Sequence, residues 1–363
     1  MTSTPERTLS ARIIEMAGGH LDAPADQLII TRLTGDASTR SYFRVASSAA
    51  SLVIALYDEP FDETERAINR LERAERMNPS ARLTFANDPC AHIEVTDLFL
   101  EAGLPVPLLV GVSGEEAAIM IEDVGDVKLQ DWLTGRSAAE VKEAYSRSID
   151  FIIRIQEATR LAIESDSICC RLAFDEAKLR WELGFFFAHY FNRYLKVKLD
   201  AARSNAAQED FRAISAELAS RRRVLTHRDY HARNLMLDGE RMFIIDHQDA
   251  RLGPESYDLA SLIADPYTSL DHQMTEELID RFISEKAKSA APISDEGEFR
   301  KELDLMTVQR MLKAIGTYSF QAAMKDNLVY VQYIAPALDR AIAAMRRLSR
   351  FDRTRALLEE TRL

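Results

Sequence analysis

The order of apolar and polar positions gives the first third of the chain a strand-rich texture. Three short runs, apolar or alternating and separated by turn-rich segments, are typical of β-strands: residues 28–33, 41–45 and 52–57. Residues 106–112 and 117–121 predict a hairpin across Ser113-Gly114. Helical patterns cover residues 9–17, 62–77 and 88–102, and we expect the first to end at Gly18-Gly19 because glycine favours the left-handed cap.

Beyond this region the pattern is mostly helical. Apolar residues recur at helical spacing over residues 138–159, 174–194, 206–222, 271–288, 298–321 and 329–348. Residues 235–245 depart from it, because two short apolar runs flank Asp238-Gly239 and predict a β-hairpin. We therefore predict an α+β, bilobal fold. A small antiparallel β-sheet would form an N-terminal lobe (residues 1–122), and a larger helical lobe (123–363) would follow, with a cleft between them where a site commonly forms.

Composition narrows the class of protein. With 47% hydrophobic and 29% charged residues the chain is expected to fold, and a net charge of −12 argues against nucleic acid as a partner. No run approaches the ~20 apolar residues that cross a bilayer, and Met1–Ser10 has no apolar signal core. Three cysteines without a Cys-x-x-Cys pair suggest a reducing compartment. We expect a cytoplasmic protein that binds neither membrane nor nucleic acid.

The segment His227–Asn234 and Asp246 carry the candidate chemistry. Phosphoryl transfer needs a group that orients the acceptor hydroxyl, oxygen ligands for Mg²⁺ and donors for the phosphates. Asp229 can accept the hydroxyl proton, while Asn234 and Asp246 supply the hard oxygens that Mg²⁺ prefers. Since a tight hairpin brings its ends together, the spacing predicts one magnesium site beside the base. Each residue alone could equally be a turn-capping group; the combination favours ATP and Mg²⁺ as cofactors.

His227, Asp229 and Asn234 match the His-x-Asp-x-x-x-x-Asn motif of the aminoglycoside phosphotransferase and choline kinase superfamily, whose architecture resembles that of protein kinases. Further segments resemble the bacterial N-acetylmuramate/N-acetylglucosamine anomeric sugar kinases within it: Gly35–Arg44, Asp249–Pro254 and Gln309–Gly316. The resemblance implies transfer of the ATP γ-phosphate to the anomeric hydroxyl of an N-acetylated amino sugar, in the recycling of cell-wall sugars.

The same resemblance suggests further roles: the lobe of residues 1–122 would bind the nucleotide, and the lobe of residues 123–363 would carry catalysis and substrate binding, with the active site in the cleft between them. Ile244–Asp249 is similar to the metal-binding segment of the family, with His247 where a phenylalanine is expected. Asp258 would anchor the backbone of the catalytic loop, and Glu182 would meet sugar hydroxyls.

Nucleotide contacts are less well defined by the sequence. The third strand, 52–57, lacks the phosphate-binding lysine of typical kinases, which leaves Arg40 or Arg44 to supply the charge, although each could equally be a structural arginine. Backbone N–H groups of a loop with small residues can approach phosphates, and Glu122 lies at the expected inter-lobe connection facing adenine. The loop residues are Gly35, Asp36, Ala37 and Ser38.

Four residues near the motif have open roles. His231 would touch substrate or steady Asp229, and Arg233 would compensate phosphate charge unless it pairs with a neighbouring helix. His227 would brace the loop, and Asp249 would either touch a second ion or hold the loop.

Two other functions compete with the sugar kinase. An aminoglycoside, choline or other small-alcohol kinase would share the motif, because the acceptor is selected by other helices. A nucleotide-binding pseudokinase-like module is favoured by the missing lysine and opposed by the intact Asp229, Asn234 and Asp246. The sequence gives no indication of the oligomeric state.

Overall fold

The computed structural model describes residues 8–33 and 40–362. The chain forms two compact units: the first runs up to Val127 and also takes in Met236–Asp249, and the second consists of Lys128–Leu235 and the residues from Ala250 onward. The predicted boundary after residue 122 lies near the first crossing. The linear pattern gave no sign that Met236–Asp249 returns to the first unit.

A five-stranded antiparallel sheet dominates the first unit, with the strand order β1-β2-β3-β5-β4. Helix α1 packs on β2 and β3, and Ile13, Ala17 and Val45 lie in the core between them. The elements up to the first crossing are α1 (Leu9–Leu21), β1 (Ile29–Leu33), β2 (Ser41–Ala46), β3 (Ser51–Leu56), α2 (Ala67–Met77), α3 (Ala81–Thr84), α4 (Pro89–Glu101), β4 (Leu109–Ser113), β5 (Ala118–Glu122) and β6 (Val127–Lys128), with a 3-10 turn at Ala25–Gln27.

The second unit is mostly helical. Its helices are α5 (Leu129–Trp132), α6 (Ala138–Glu157), α7 (Thr159–Glu164), α8 (Ile168–Arg171), α9 (Glu176–Phe187), α10 (Ala201–Ser220), α11 (Tyr257–Ile263), α12 (His272–Lys286), α13 (Glu296–Lys325), α14 (Ile334–Leu348) and α15 (Asp352–Glu360). Helix α13 packs against α9, α11 and α14. The described residues include no helix long and apolar enough to cross a membrane.

Short strands border the segment that carries the predicted chemistry. Antiparallel β7 (Arg223–Thr226) and β10 (Arg251–Pro254) pair, and β7 ends directly before His227. The predicted hairpin is confirmed as β8 (Leu235–Asp238) and β9 (Arg241–Ile244), with Gly239 at a φ of 60° in the turn. The pairing of β7 with β10 was not predicted, because each strand has only four residues, too few to show a period of apolar positions.

The α+β fold, with a small antiparallel sheet and a larger helical region, is confirmed. One predicted boundary was wrong: α1 passes through Gly18-Gly19 and ends at Leu21, with Asp22 in the left-handed conformation at a φ of 46°. Burial of Ile13, Ala17 and Leu21 on one face continues the helix beyond the glycines. The helical pattern 174–194 holds, but its last part, Ala188–Tyr194, is a π-helix.

Helices α9 and α13 approach closely at Gly316. A Cβ at this position would lie 2.7 Å from Phe186 Cα, so the backbones would have to move apart. By contrast, a Cβ at Gly184 in α9 would meet nothing within 4 Å.

Gly316→Ala is therefore expected to destabilise the protein by ~1–3 kcal/mol, because overpacking outweighs the gain in helix propensity. The matched control, Gly184→Ala, should stabilise it by up to about 1 kcal/mol. Chemical denaturation of both variants measures the difference, and equal effects would contradict the close packing of α9 on α13.

Candidate active site

The loop that follows β7 is held by its backbone from α11. The N–H of His227 donates to Asp258 Oδ2 at 2.7 Å, and that of Arg228 donates to Oδ1 at 3.1 Å. Arg228 has a φ of 86°, a strained value for a residue with a side chain. Burial raises the pKa of Asp258 to about 7, although both N–H donors lower it. This bidentate anchor fixes the turn that presents Asp229.

Two cations from α13 converge on one oxygen of Asp229. Lys313 Nζ lies 2.8 Å from Oδ1, and both terminal nitrogens of Arg310 lie 3.4 Å from the same atom. Arg228 Nε is 3.6 Å from Oδ2. Burial alone would raise the pKa of Asp229, but Lys313, Arg228 and Arg310 hold it well below its usual range. Asp229 is therefore an ionised carboxylate fixed through one oxygen.

Asn234 closes the same loop. Its backbone N–H donates to the His231 carbonyl at 2.9 Å, and its Nδ2 donates to the Asp229 carbonyl at 2.9 Å. Since the amide nitrogen is engaged as a donor, the side-chain oxygen is the atom that Asn234 can offer to a metal ion.

His231 and Arg233 pack against tyrosines. The ring of His231 meets Tyr267 edge-on at 5.3 Å, and burial lowers the pKa of His231 to about 3, which makes it neutral. The Arg233 guanidinium lies 4.7 Å from the centre of the Tyr267 ring and 5.6 Å from that of Tyr330. The catalytic role predicted for Arg233 stays a prediction, and these rings fix its position.

Glu182, predicted to meet sugar hydroxyls, is buried on α9. Its Oε2 accepts from Gln309 Nε2 at 2.8 Å, and its Oε1 lies 3.4 Å from Lys178 Nζ. Burial would raise the pKa of Glu182, but Lys178, Lys313 and Arg228 bring it below its ordinary value. Burial lowers the pKa of Lys178 itself to about 8.

The charge around Asp229 has a positive excess. Among the residues that the structure describes, Lys178, Arg228, Arg310 and Lys313 couple electrostatically with the carboxylates of Asp229 and Glu182. Arg251 and Asp258 add at most one further charge of each sign to this group. We call these six side chains, Lys178, Glu182, Arg228, Asp229, Arg310 and Lys313, the α9–α13 cluster.

In the first unit, Asp246 follows the hairpin with a φ of 63°. Its Oδ1 accepts from Arg40 at 2.9 Å and from Gln248 Nε2 at 2.8 Å, while its side chain is 41% exposed. The Arg40 guanidinium also lies over the rings of Tyr42 and Tyr57. Burial works against the charge of Arg40, but Tyr42, Asp246 and Tyr57 raise its pKa overall.

A buried polar network links Arg40 to helix α4. Tyr57 hydroxyl and His92 Nδ1 are 2.8 Å apart, and burial followed by the charge of Arg40 lowers the pKa of His92 to about 3. His247 Nε2 bonds Thr96 Oγ1 at 2.7 Å and its ring stacks on Phe99. His247 thus packs as an aromatic residue, in keeping with the phenylalanine expected at this position.

Other predicted nucleotide residues make structural contacts. Arg44 Nε donates to Asp123 at 2.7 Å, and its NH1 donates to Asp126 at 2.9 Å. Glu122 Oε2 accepts from the Leu108 N–H at 3.2 Å. Asp249 Oδ1 accepts from the Asn87 N–H at 2.9 Å, and both roles predicted for Asp249 stay predictions. Gly35, Asp36, Ala37 and Ser38 lie outside the described residues.

The sequence did not identify Arg310 and Lys313 as site residues. Both lie in the segment Gln309–Gly316, which resembled the sugar kinases as a whole, and an i, i+3 spacing places them on one helix face. That spacing was the available signal, but nothing in it pointed to Asp229, which lies some eighty positions earlier in the chain.

Several curated proteins are similar to this chain over most of its length. Similar curated proteins are N-acetylmuramate/N-acetylglucosamine kinases from Pseudomonas aeruginosa (27% identical; 84% of this chain and 79% of the relative), Neisseria meningitidis (24%; 90% and 87%) and Caulobacter vibrioides (26%; 92% and 91%).

Solved structures with the same fold include a spectinomycin phosphotransferase and a choline kinase. A spectinomycin phosphotransferase in complex with ADP and spectinomycin is 14% identical, with a TM-score of 0.56 over 94% of this chain and 100% of that chain. The choline kinase LicA from Streptococcus pneumoniae is 15% identical, with a TM-score of 0.54 over 93% and 98%. They confirm the predicted kinase-like fold.

The model of the phosphotransferase enzyme family (APH) matches residues 29–291, which is more than half of the chain and includes Asp229, Asn234 and Asp246. The predicted superfamily is thereby confirmed. The chain belongs to the phosphotransferase enzyme family.

Proposed function

We propose that the protein is an ATP- and Mg²⁺-dependent kinase that transfers the γ-phosphate to a hydroxyl, the anomeric one, of an N-acetylated amino sugar such as N-acetylmuramate or N-acetylglucosamine. The names of the curated relatives support this acceptor class. The observation that carries the proposal is the ionised carboxylate of Asp229 with two cations of α13, Lys313 and Arg310, beside it.

This charge separates the candidate acceptors. Aminoglycosides and choline are cations, and a cation beside Lys313 and Arg310 would be repelled in a site of low dielectric. The two carboxylates of the cluster are already paired, Glu182 with Lys178 and Asp229 with Lys313. A neutral or anionic sugar is compatible with the cluster.

The tyrosines of this unit also disfavour choline. Quaternary ammonium groups bind in aromatic cages. The guanidinium of Arg233 already lies over the rings of Tyr267 and Tyr330. A second cation could enter this pair of rings only by displacing the Arg233 side chain.

Asp229 would act on the acceptor hydroxyl. An ionised carboxylate accepts the O–H proton as the hydroxyl oxygen attacks phosphorus. The neutral ring of His231 would be a weak base, because burial lowers its pKa to about 3. Asp229 is accordingly our proposed base.

Asn234 and Asp246 would hold Mg²⁺, as their donor set fits this ion. Mg²⁺ takes one or two protein oxygens and keeps several waters, and these residues offer an amide and a carboxylate oxygen. In the described ranges, no group of three or more His, Cys, Asp or Glu could hold a metal ion. A magnesium site with two protein ligands and several waters does not need such a group. When bound, the ion would neutralise phosphate charge.

Arg40 is our proposed replacement for the absent strand lysine. It is the buried cation that contacts Asp246, whereas Arg44 is engaged by Asp123 and Asp126. The assignment of Arg44, Glu122 and the loop at 35–38 to the nucleotide stays a prediction.

A substrate panel tests the proposed function. With ATP and Mg²⁺, N-acetylmuramate or N-acetylglucosamine should be turned over at least tenfold faster than kanamycin or choline, since ~1.4 kcal/mol of charge repulsion already gives that ratio. Methyl N-acetylglucosaminide, whose anomeric oxygen is blocked, is the matched control and should not react. Turnover of kanamycin or choline in preference to the sugars would overturn the acceptor assignment, and phosphorylation of the methyl glycoside would exclude the anomeric position.

Variants of the proposed base and metal ligand separate an enzyme from a binding module. Asp229→Asn should retain ATP binding and lose turnover by about 10²-fold or more, because general-base catalysis contributes about that much. Asp246→Asn should make ATP binding less dependent on Mg²⁺. Calorimetric titration of ATP with and without the ion measures this dependence. Unchanged turnover in both variants would support the pseudokinase-like alternative.

The two arginines of the first unit form a matched pair. Arg40→Met should weaken binding of Mg²⁺–ATP by at least about tenfold, since a charged hydrogen bond contributes ~1.5–3 kcal/mol. Arg44→Met should chiefly lower the thermal midpoint, because Asp123 and Asp126 lose the guanidinium that pairs with both. Calorimetric titration and thermal unfolding measure both effects, and the reverse pattern would assign the phosphate to Arg44.

A further inference from the structure

The carboxylate of Asp229 is held asymmetrically. Lys313 Nζ lies 2.8 Å from Oδ1, and the two Arg310 nitrogens, at 3.4 Å, approach the same atom from farther away. Within the described part of the chain, Oδ2 accepts no hydrogen bond, and Arg228 Nε stands 3.6 Å from it. One oxygen is therefore anchored, and the other is available to a ligand.

Lys313, rather than Arg310, makes the short contact. Arg310 has a second commitment, because its NH1 donates to the Tyr257 hydroxyl at 2.9 Å and its guanidinium lies over the Tyr257 ring at 4.9 Å. Its side chain is 6% exposed, against 19% for Lys313. Arg310 is thus fixed in the packing of α13 on α11, while Lys313 lies at the accessible side of the cluster.

The position of Lys313 is set by rigid parts of the fold. It lies in the middle of α13, four residues after Gln309, which bonds Glu182 on α9, and three before Gly316, which permits the close approach to Phe186. These neighbours fix the helix on both sides of Lys313, so the backbone of Lys313 stays within reach of the loop.

From this geometry we infer that Lys313 is a positioning residue of the phosphoryl transfer: its ammonium fixes Asp229 Oδ1 so that Oδ2 receives the acceptor hydroxyl. The inference rests on the proposed role of Asp229 as the base. As the acceptor oxygen forms its bond to the γ-phosphorus, the bond from phosphorus to the ADP oxygen breaks and its electron pair stays with ADP. The hydroxyl proton passes to Oδ2, and Asp229 releases it to water after the product leaves.

Kinetics of single and double variants test this role. Lys313→Met should lower kcat by about 10²-fold, the cost of a misplaced catalytic group, with an unchanged dissociation constant for ATP. Lys313→Arg should recover at least tenfold of the loss, because it keeps a charged donor on Oδ1. Lys301→Met, which removes an exposed lysine of the same helix paired with Glu298, is the control and should leave kcat unchanged.

The double variant distinguishes positioning from a purely structural effect. Because Lys313 acts through Asp229, Asp229→Asn/Lys313→Met should be no slower than Asp229→Asn alone. It also removes both charges of the pair, so it remains a usable protein if Lys313→Met alone does not fold. Multiplicative losses in the double variant, or a change in kcat below threefold in Lys313→Met, would overturn the inference.

The choice of acceptor keeps this test separate from that of the proposed function. The variants are measured with whichever acceptor of the panel reacts fastest, and with water as the acceptor in ATP hydrolysis if none reacts. If no sugar is phosphorylated, the proposed acceptor class is wrong. A non-additive effect of the Lys313 and Asp229 substitutions on kcat, in any of these reactions, would still support the positioning role.

Discussion

The second unit depends on one buried electrostatic arrangement, in which α13 brings Lys313 and Arg310 to a carboxylate on the loop after β7. An isolated carboxylate in such a place would be neutralised by its own desolvation. The cations keep Asp229 charged, and in return Asp229 makes their burial tolerable. Charge thus joins the loop to a helix that packing already holds in place.

The same arrangement relates packing to chemistry. Gly316 lets α13 approach α9 closely, Gln309 and Glu182 join the two helices, and Lys313 then lies within hydrogen-bond distance of Asp229. On the opposite side of the loop, Asp258 fixes the backbone through two N–H groups. The position of Asp229 is therefore set by the helices and the short strand around the loop.

Much of this could be predicted from the sequence, for physical reasons that differ between elements. The strands and long helices follow from periodic burial, and the hairpin from Asp238-Gly239. The glycines at 18 and 19 misled the prediction because tertiary burial of Leu21 prevails over a local cap signal. Lys313 was missed since pairing across some eighty residues leaves no local pattern, and the tyrosine environment of Arg233 arises in the same way from distant segments.

The return of Met236–Asp249 to the first unit has a consequence for biosynthesis. Helix α4 leaves Thr96 and Phe99 to be covered by His247, which is translated far later than the sheet beside it. An N-terminal fragment that stops at Val127 would expose this face, and the nascent first unit stays incomplete until residue 249 has emerged from the ribosome. The sheet of the first unit is encoded first. The unit nevertheless cannot finish folding until helices α5 to α10 of the second unit, which precede Met236–Asp249 in the chain, have been translated.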